Sequence, residues 1–251
     1  MKETRIMTSF PSWSASAPDL VAVAAGRSAA DLVICGGALV NVQSREVLEG
    51  WEVAVVAGRF AYVGPDASHC VGEQTEVVDA QGRYLIPGLC DAHMHIESGM
   101  LTPAEFAAAV TPHGTTTMFT DPHEIANVLG LDGVRMMHDE AMMQPINIFT
   151  QMPSCAPSAP GLETTGFEIG PEDVAEAMSW PGIVGLGEMM NYPGVINGDP
   201  QMLAEMAATR LTTGSVSSPW FGSSIRTARS SCRLWARVGT CFHRLSTRIL
   251  K

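Results

Sequence analysis

Two histidines, His93 and His95, stand two positions apart at the end of an apolar run, and this spacing restricts the backbone that can present them together. In a β-strand, residues i and i+2 point to the same face, so both imidazoles could bind one metal ion. In an α-helix the same two side chains would project about 200° apart. Taken alone, the pair is as easily explained by two solvated surface histidines. A functional pair therefore requires a strand that ends here.

Short β-like runs separated by turn residues come before the histidine pair. They cover residues 32–35, 38–42, 52–56, 59–63, 77–79 and 83–86. Short strands at such close spacing are typical of a small β domain. We expect a β-sandwich-like domain over 31–86, preceded by an N-terminal segment of residues 1–30 with a short helix over 19–30.

After Pro87 the pattern changes to strands that alternate with helices. The predicted strands cover 89–95, 115–120, 146–151 and 183–186, and the predicted helices cover 102–110, 131–143, 171–179 and 200–209. Thr102 is the expected N-cap of the first of these helices. Four βα units in series predict an α/β fold with a parallel sheet, which right-handed crossovers could build as an open sheet or as a closed barrel.

Ionisable residues follow three of these four strands. At or just beyond the end of the first strand lie Asp91, His93, His95 and Glu97. The second strand is followed by Asp121, His123 and Glu124, and the fourth strand is followed by Glu188. Acidic side chains are rarely buried unless they are paired or bind a metal. Two imidazoles and a carboxylate suit a first-row divalent ion such as Zn, Fe or Mn. Glu188 directly follows an apolar strand and is the candidate to bridge two metals; the alternative is a carboxylate at a helix N-terminus.

The segment from Asp31 to about Arg210 resembles the amidohydrolase superfamily and, within it, the adenine deaminases. The likeness is carried by residues 86–98, by 114–117 together with 121–130, and by 187–191. The first run marks only the superfamily, whereas the run that starts at Asp121 and the run around Glu188 are more specific. Gly99 departs from the pattern, which has a second serine at that position.

The resemblance implies a (β/α)8 barrel, of which residues 87–210 would form the first four βα units. It implies a binuclear centre of Mn(II) or Fe(II), with Zn(II) less favoured, bound by His93 and His95 and bridged by Glu188. Asp121, His123 and Glu124 would be the acid–base groups beside it, with their individual roles left open. The implied reaction is the hydrolysis of adenine to hypoxanthine and ammonia in purine salvage, in which an activated water attacks C6 and a carboxylate carries the proton.

The charge of the chain changes sharply near the point where the likeness ends. The net charge is −11, yet all 26 acidic residues precede position 206, while residues 206–251 hold eight of the 15 basic residues. We therefore interpret residues 211–251 as a frame-shifted or foreign tail, in preference to a basic arm for nucleic acid. The resemblance also requires later metal-binding histidines and a general-base aspartate, which are absent. We expect this chain to be an inactive or impaired fragment.

Two other functions remain open from the residues alone. One is a different amidohydrolase acting on cyclic amides, related to dihydroorotase or hydantoinase; the other is a non-enzymatic binding module with a basic tail. The chain shows no secretory signal and no long uncharged apolar run. We expect a cytoplasmic protein with a small-molecule substrate, no nucleic-acid or membrane partner, and a homo-oligomeric full-length parent.

Overall fold

A computed structural model describes residues 13–212 of the chain. These residues form two compact units that divide between Gly88 and Leu89. Residues 1–12 of the N-terminal segment and 213–251 of the predicted basic tail lie outside the described residues. The interpretation of the tail therefore stays a prediction.

Over residues 13–88 the first unit contains one α-helix, seven strands and a short 3-10 helix at Ser68–Cys70. The α-helix and the strands are α1 (Trp13–Ala24), β1 (Leu32–Cys35), β2 (Ala38–Asn41), β3 (Glu46–Glu49), β4 (Glu52–Val56), β5 (Arg59–Gly64), β6 (Glu76–Asp79) and β7 (Tyr84–Leu85). One sheet has the order β5-β4-β1-β6 and the other the order β3-β2-β7. β3 is missing from the sequence prediction because it is mostly exposed, with a glutamate at each end, and only antiparallel pairing with β2 defines it. Helix α1 begins earlier than predicted, at Trp13.

Alternating side chains of β1 and β4 bury both faces of the larger sheet in this unit. Leu32 and Val53 lie in one apolar cluster, against which Leu39 of the second sheet packs. Val33 belongs to a second cluster that includes Val23 of helix α1. Alternation with period two places neighbouring residues of a strand on opposite faces, so a sheet covered on both sides reads as a continuous apolar run.

The second unit is a four-stranded parallel sheet with helices between and after its strands. Its elements are β8 (Leu89–Met94), α2 (Pro103–Val110), β9 (Thr115–Thr120), α3 (His123–Met142), β10 (Asn147–Met152), α4 (Pro171–Ala177), β11 (Ile183–Leu186), α5 (Tyr192–Asn197) and α6 (Pro200–Thr212). The strand order is β11-β10-β9-β8, with every pair parallel. The predicted α/β class with a parallel sheet is confirmed, and the carboxyl ends of all four strands meet at one edge. Within residues 13–212, no helix is both long and apolar enough to cross a lipid bilayer.

An apolar layer joins this sheet to its helices. Val134 of α3, Val174 of α4 and Leu186 of β11 are fully buried in one cluster, which also includes Met202 of α6. Burying a side chain of this kind stabilises the fold by about 1.5–3 kcal/mol. This packing fixes the strands relative to the helices, and with them the strand ends.

Helix α3 differs from its predicted bounds. The sequence pattern places its start at Leu131, but the helix begins at His123 and bends at Gly130, whose φ of 62° and ψ of −145° are not helical. Glycine tolerates such a conformation, and a Cβ here would also lie 2.9 Å from the ring of Phe167. The bend interrupts the apolar periodicity, which is why the sequence pattern predicts only the second half of this helix. His123 and Glu124 therefore lie in the first turn of α3 and not on a strand end.

Candidate metal centre

His93 and His95 project together from the carboxyl end of β8. Their Nε2 atoms lie 2.9 Å apart, and both side chains are partly buried. The backbone N–H of His93 donates to Asp91 Oδ1 at 3.2 Å, which steadies the end of the strand. The strand predicted from the spacing of the two histidines therefore brings the imidazoles together.

Glu188 reaches the same point from β11. Its Oε1 atom lies 3.3 Å from His95 Nε2 and 3.8 Å from His93 Nε2. Three potential ligand atoms therefore converge, although β8 and β11 form opposite edges of the sheet. The alternative expected for Glu188 was a carboxylate at a helix N-terminus. The structure instead directs this carboxylate toward the two imidazoles.

Asp121 completes the cluster from the end of β9. It is fully buried, and its Oδ2 atom accepts a hydrogen bond from the backbone N–H of Glu188 at 2.8 Å. The other oxygen, Oδ1, has no hydrogen-bond partner among residues 13–212. Ligand atoms of Asp121, Glu188 and the two histidines all lie within 4.8 Å of one another. Gly187 permits this approach, because a Cβ there would overlap the Asp121 carboxylate.

His123 faces Asp121 from the first turn of α3. Its Nε2 donates to the backbone carbonyl of Cys155 at 2.7 Å, and its Nδ1 lies 3.6 Å from Asp121 Oδ1. Burial lowers the pKa of His123, but the neighbouring Asp121 carboxylate outweighs burial and the pKa is raised overall. His123 is therefore turned toward Asp121 and toward the chain interior.

Glu124 contacts the outer nitrogen of His95. Its Oε2 atom lies 3.0 Å from His95 Nδ1, and its Oε1 accepts a hydrogen bond from Ser98 Oγ at 2.5 Å. Burial raises the pKa of Glu124, but the Ser98 hydroxyl, with help from His95, outweighs this and holds the pKa below its ordinary value. An ionised Glu124 favours a proton on Nδ1 of His95, which leaves a lone pair on Nε2.

Glu97 forms a second group of potential ligands with His95 and Glu124. Its Oε1 atom accepts from the backbone N–H of Ile125 at 3.4 Å, whereas its buried Oε2 has no hydrogen-bond partner in the described part of the chain. Burial, assisted by the charge of Glu124, raises the pKa of Glu97 to about 7. Glu97 follows the end of β8, as its sequence position predicts, but it is not among the predicted site residues.

Ser154, which follows β10, is a further residue at the site that the sequence did not predict. It is fully buried, and its hydroxyl donates to the backbone carbonyl of Glu188 at 2.6 Å. No site residue was predicted after the third strand. The rule used for the other strands, that polar residues just beyond the carboxyl end line the site, also indicates Ser154.

The donor set fits a divalent cation. With the His95 proton on Nδ1, its Nε2 presents a lone pair toward His93 Nε2 at 2.9 Å, so this nitrogen is free to accept a hydrogen bond from His93 or to bind a cation. The buried Asp121 Oδ1 has no hydrogen-bond partner among the described residues, since His123 Nδ1 lies 3.6 Å away. Imidazole nitrogens and carboxylate oxygens are common ligands of first-row divalent metals.

A parallel α/β sheet with histidines and carboxylates at its carboxyl edge has the organisation of a metal-dependent hydrolase. The model of the amidohydrolase family matches residues 84–212, and the chain belongs to this family.

Several curated relatives are adenine deaminases. Adenine deaminase 1 of Jannaschia sp. (strain CCS1) is 76% identical over 203 residues, which are 81% of this chain and 34% of that protein. Adenine deaminase 3 of Rhizobium meliloti is 63% identical over 205 residues, 80% of this chain and 34% of that protein. The chain therefore spans about a third of the length of the curated relatives it matches. Among solved structures, the L-hydantoinase (dihydropyrimidinase) of Arthrobacter aurescens is 17% identical, with a TM-score of 0.43 over 62% of this chain and 31% of that one.

Proposed function

We propose that this chain contributes the first part of an adenine deaminase site, which hydrolyses adenine to hypoxanthine and ammonia. The observation that carries the proposal is the convergence of His93, His95 and Glu188 within 3.8 Å, at the edge of the sheet where α/β enzymes bind their substrates. The 76% identity to an adenine deaminase supports the choice of substrate.

His93, His95 and Glu188 are the residues that would hold the metal, with Glu188 as the bridge in a binuclear centre. The three ligands are nitrogen and oxygen donors, a set that Mn(II), Fe(II) and Zn(II) all accept. The preference for Mn(II) or Fe(II) over Zn(II) rests on the resemblance to the adenine deaminases. A divalent cation at this point supplies Lewis acidity and lowers the pKa of water.

Proton transfer falls to the carboxylates beside the histidines. Glu124 is half exposed and its pKa lies below the ordinary value, so it is ionised at neutral pH and can carry a proton within the site. It can then give the proton to the amine that leaves C6. Asp121 and His123 are buried side by side and form a second acid–base pair. In this pair the Asp121 carboxylate would place a negative charge next to Glu188.

The parallel sheet would form the first half of a (β/α)8 barrel. In a flat sheet the outer strands β8 and β11 would lie about 14 Å apart, so the meeting of His95 with Glu188 supports an inward curvature. On this proposal residues 31–86 are a small β-sandwich-like domain, 87–210 the half-barrel and 211–251 an unrelated tail.

The complete enzyme would be a homo-oligomer in the cytoplasm, and this chain alone would have little or no activity. A substrate site needs groups from several strand ends, and the matched relatives are about three times as long as the matched segment.

A chimera tests the assignment. The 203 matched residues replace the corresponding segment of the Jannaschia protein, and the purified chimera is loaded with Mn(II) or Fe(II). We expect it to deaminate adenine, followed by absorbance, and not to open dihydroorotate or hydantoin rings. A folded, metal-loaded chimera that opens cyclic amides and leaves adenine intact would contradict the proposal.

The isolated chain, loaded in the same way, provides the second measurement. We expect no adenine turnover above that of buffer with metal. Robust turnover would show that the chain is a sufficient enzyme and would overturn the proposal that it is an inactive part.

A further inference from the structure

The backbone of Glu188 is held from both sides by side chains of other strand ends. Its N–H donates to Asp121 Oδ2 at 2.8 Å, and its carbonyl oxygen accepts from Ser154 Oγ at 2.6 Å. Glu188 lies two residues beyond the end of β11 at Leu186, and the last backbone contact with β10 is the hydrogen bond from the Gly187 N–H to the Met152 carbonyl at 2.6 Å. Cys155 Sγ also reaches the Glu188 carbonyl, but at 3.9 Å. Asp121 and Ser154 therefore make the short side-chain contacts that orient the Glu188 backbone and, with it, the direction of the carboxylate.

Ser154 is placed to keep this contact. It is fully buried, so bulk water does not reach its hydroxyl to compete for it. The next residue holds the peptide that follows, because the backbone N–H of Met190 donates to Cys155 Sγ at 3.2 Å. Two successive residues after β10 thus fix the segment that carries the candidate bridging ligand.

We propose that Ser154 is a positioning residue for Glu188, whose hydroxyl aims the Glu188 carboxylate at His93 and His95 and so tightens metal binding. The inference rests on the proposed function, since it acts through the same metal site. Ligand groups must be held within about 0.5 Å of their productive position, and outer groups that hold them contribute about 10–100-fold to metal affinity.

The test is Mn(II) binding by the full chain, measured by the loss of the free-ion EPR signal during titration. The variant is S154A, which removes the hydroxyl and leaves the backbone. The matched control is T209V, because Thr209 is also buried and its hydroxyl also donates to a backbone carbonyl, that of Glu205, on helix α6. Circular dichroism and the thermal midpoint of each protein are recorded beside the titration.

We expect S154A to bind Mn(II) at least about tenfold more weakly than the wild type and with an altered bound-ion spectrum. T209V should bind within about twofold of the wild type, even where its thermal midpoint falls as far as that of S154A. If S154A does not fold, S154C occupies similar space with a much weaker donor and is judged by the same thresholds.

Two results would overturn the positioning role while leaving the metal site intact: an S154A affinity within about twofold of wild type, or an equal loss in T209V. A wild-type chain that binds no Mn(II) would overturn the proposed metal site itself, and with it the role of Ser154.

Discussion

Asp121 Oδ2 accepts a hydrogen bond from the backbone N–H of Glu188 at 2.8 Å, across 67 positions of sequence. The contact joins the end of β9 to the segment after β11, and it leaves Oδ1 directed toward His123. One carboxylate thus holds a neighbouring ligand in place and also adds negative charge to the cluster.

Asparagine at position 121 separates these two contributions. In D121N the amide oxygen can still accept from Glu188, but an NH2 group replaces the charged oxygen at the cluster. We expect a folded protein whose Mn(II) affinity is reduced about tenfold or more, measured by EPR titration. The control is D139N, because Asp139 lies on the surface in an ion pair with Arg135. Equal Mn(II) affinities of D121N and wild type would remove Asp121 from the site.

Alanine at position 187 should push Asp121 and Glu188 apart. The added Cβ would overlap the Asp121 carboxylate, and because this carboxylate is buried and bonded, the backbone must shift. Overpacking of this kind costs about 1–3 kcal/mol of unfolding free energy, measured by urea denaturation, and we expect weaker Mn(II) binding as well. G99A is the control, because a Cβ at Gly99 meets only Leu101, at 4.0 Å. Wild-type stability of G187A would show that the contact is not constrained.

Removal of the Ser98 hydroxyl should change the ionisation of Glu124. Ser98 is exposed, and its hydrogen bond to Glu124 Oε1 at 2.5 Å is the main cause that lowers the pKa of Glu124. In S98A we expect this pKa to rise toward or above 4.5, its ordinary value, in a carboxyl ¹³C NMR titration of the metal-free chain. S179A, at another exposed serine, should leave it unchanged. An unaltered Glu124 titration in S98A would contradict the assignment.

Glu205 should make the stability of the chain depend on pH. It is fully buried on α6, and burial raises its pKa to about 8 from an ordinary 4.5, despite a hydrogen bond from Gln201. Because the folded protein binds this proton more tightly, its stabilising contribution is complete below about pH 4.5 and is lost as pH rises to about 8. The slope from this group is at most about 1.4 kcal/mol per pH unit.

The variant E205Q should remove the contribution of Glu205 to the pH dependence of the unfolding free energy. Urea unfolding measured from about pH 5 to about pH 8 tests this. The exposed residue Glu176 on α4 supplies the control E176Q, which should retain the wild-type slope. If E205Q loses stability with rising pH as steeply as the wild type, Glu205 is not the group responsible.

Local patterns in the sequence determined the elements and part of the site. The strands β9 and β11 match their predicted bounds at both ends, because each is a short run of strand-forming residues between turn signals. The spacing of His93 and His95 predicted a strand that presents both imidazoles on one side, and their Nε2 atoms lie 2.9 Å apart. Period-two geometry is a property of the backbone and does not depend on distant residues.

Only the tertiary structure decided how the strand ends meet. Glu140 shows this on a small scale: Thr102 stands at the predicted N-cap of α2, but its hydroxyl donates to Glu140 of α3 at 2.7 Å. The start of α3 at His123 and the hold of Ser154 on Glu188 likewise depend on contacts across 32 or more positions. Such contacts form only when the sheet and its helices pack, since no local periodicity specifies which carbonyl a buried hydroxyl will reach. The sequence alone therefore identified the candidate ligand side chains, whereas the orientation of these side chains depends on the packing of the tertiary structure.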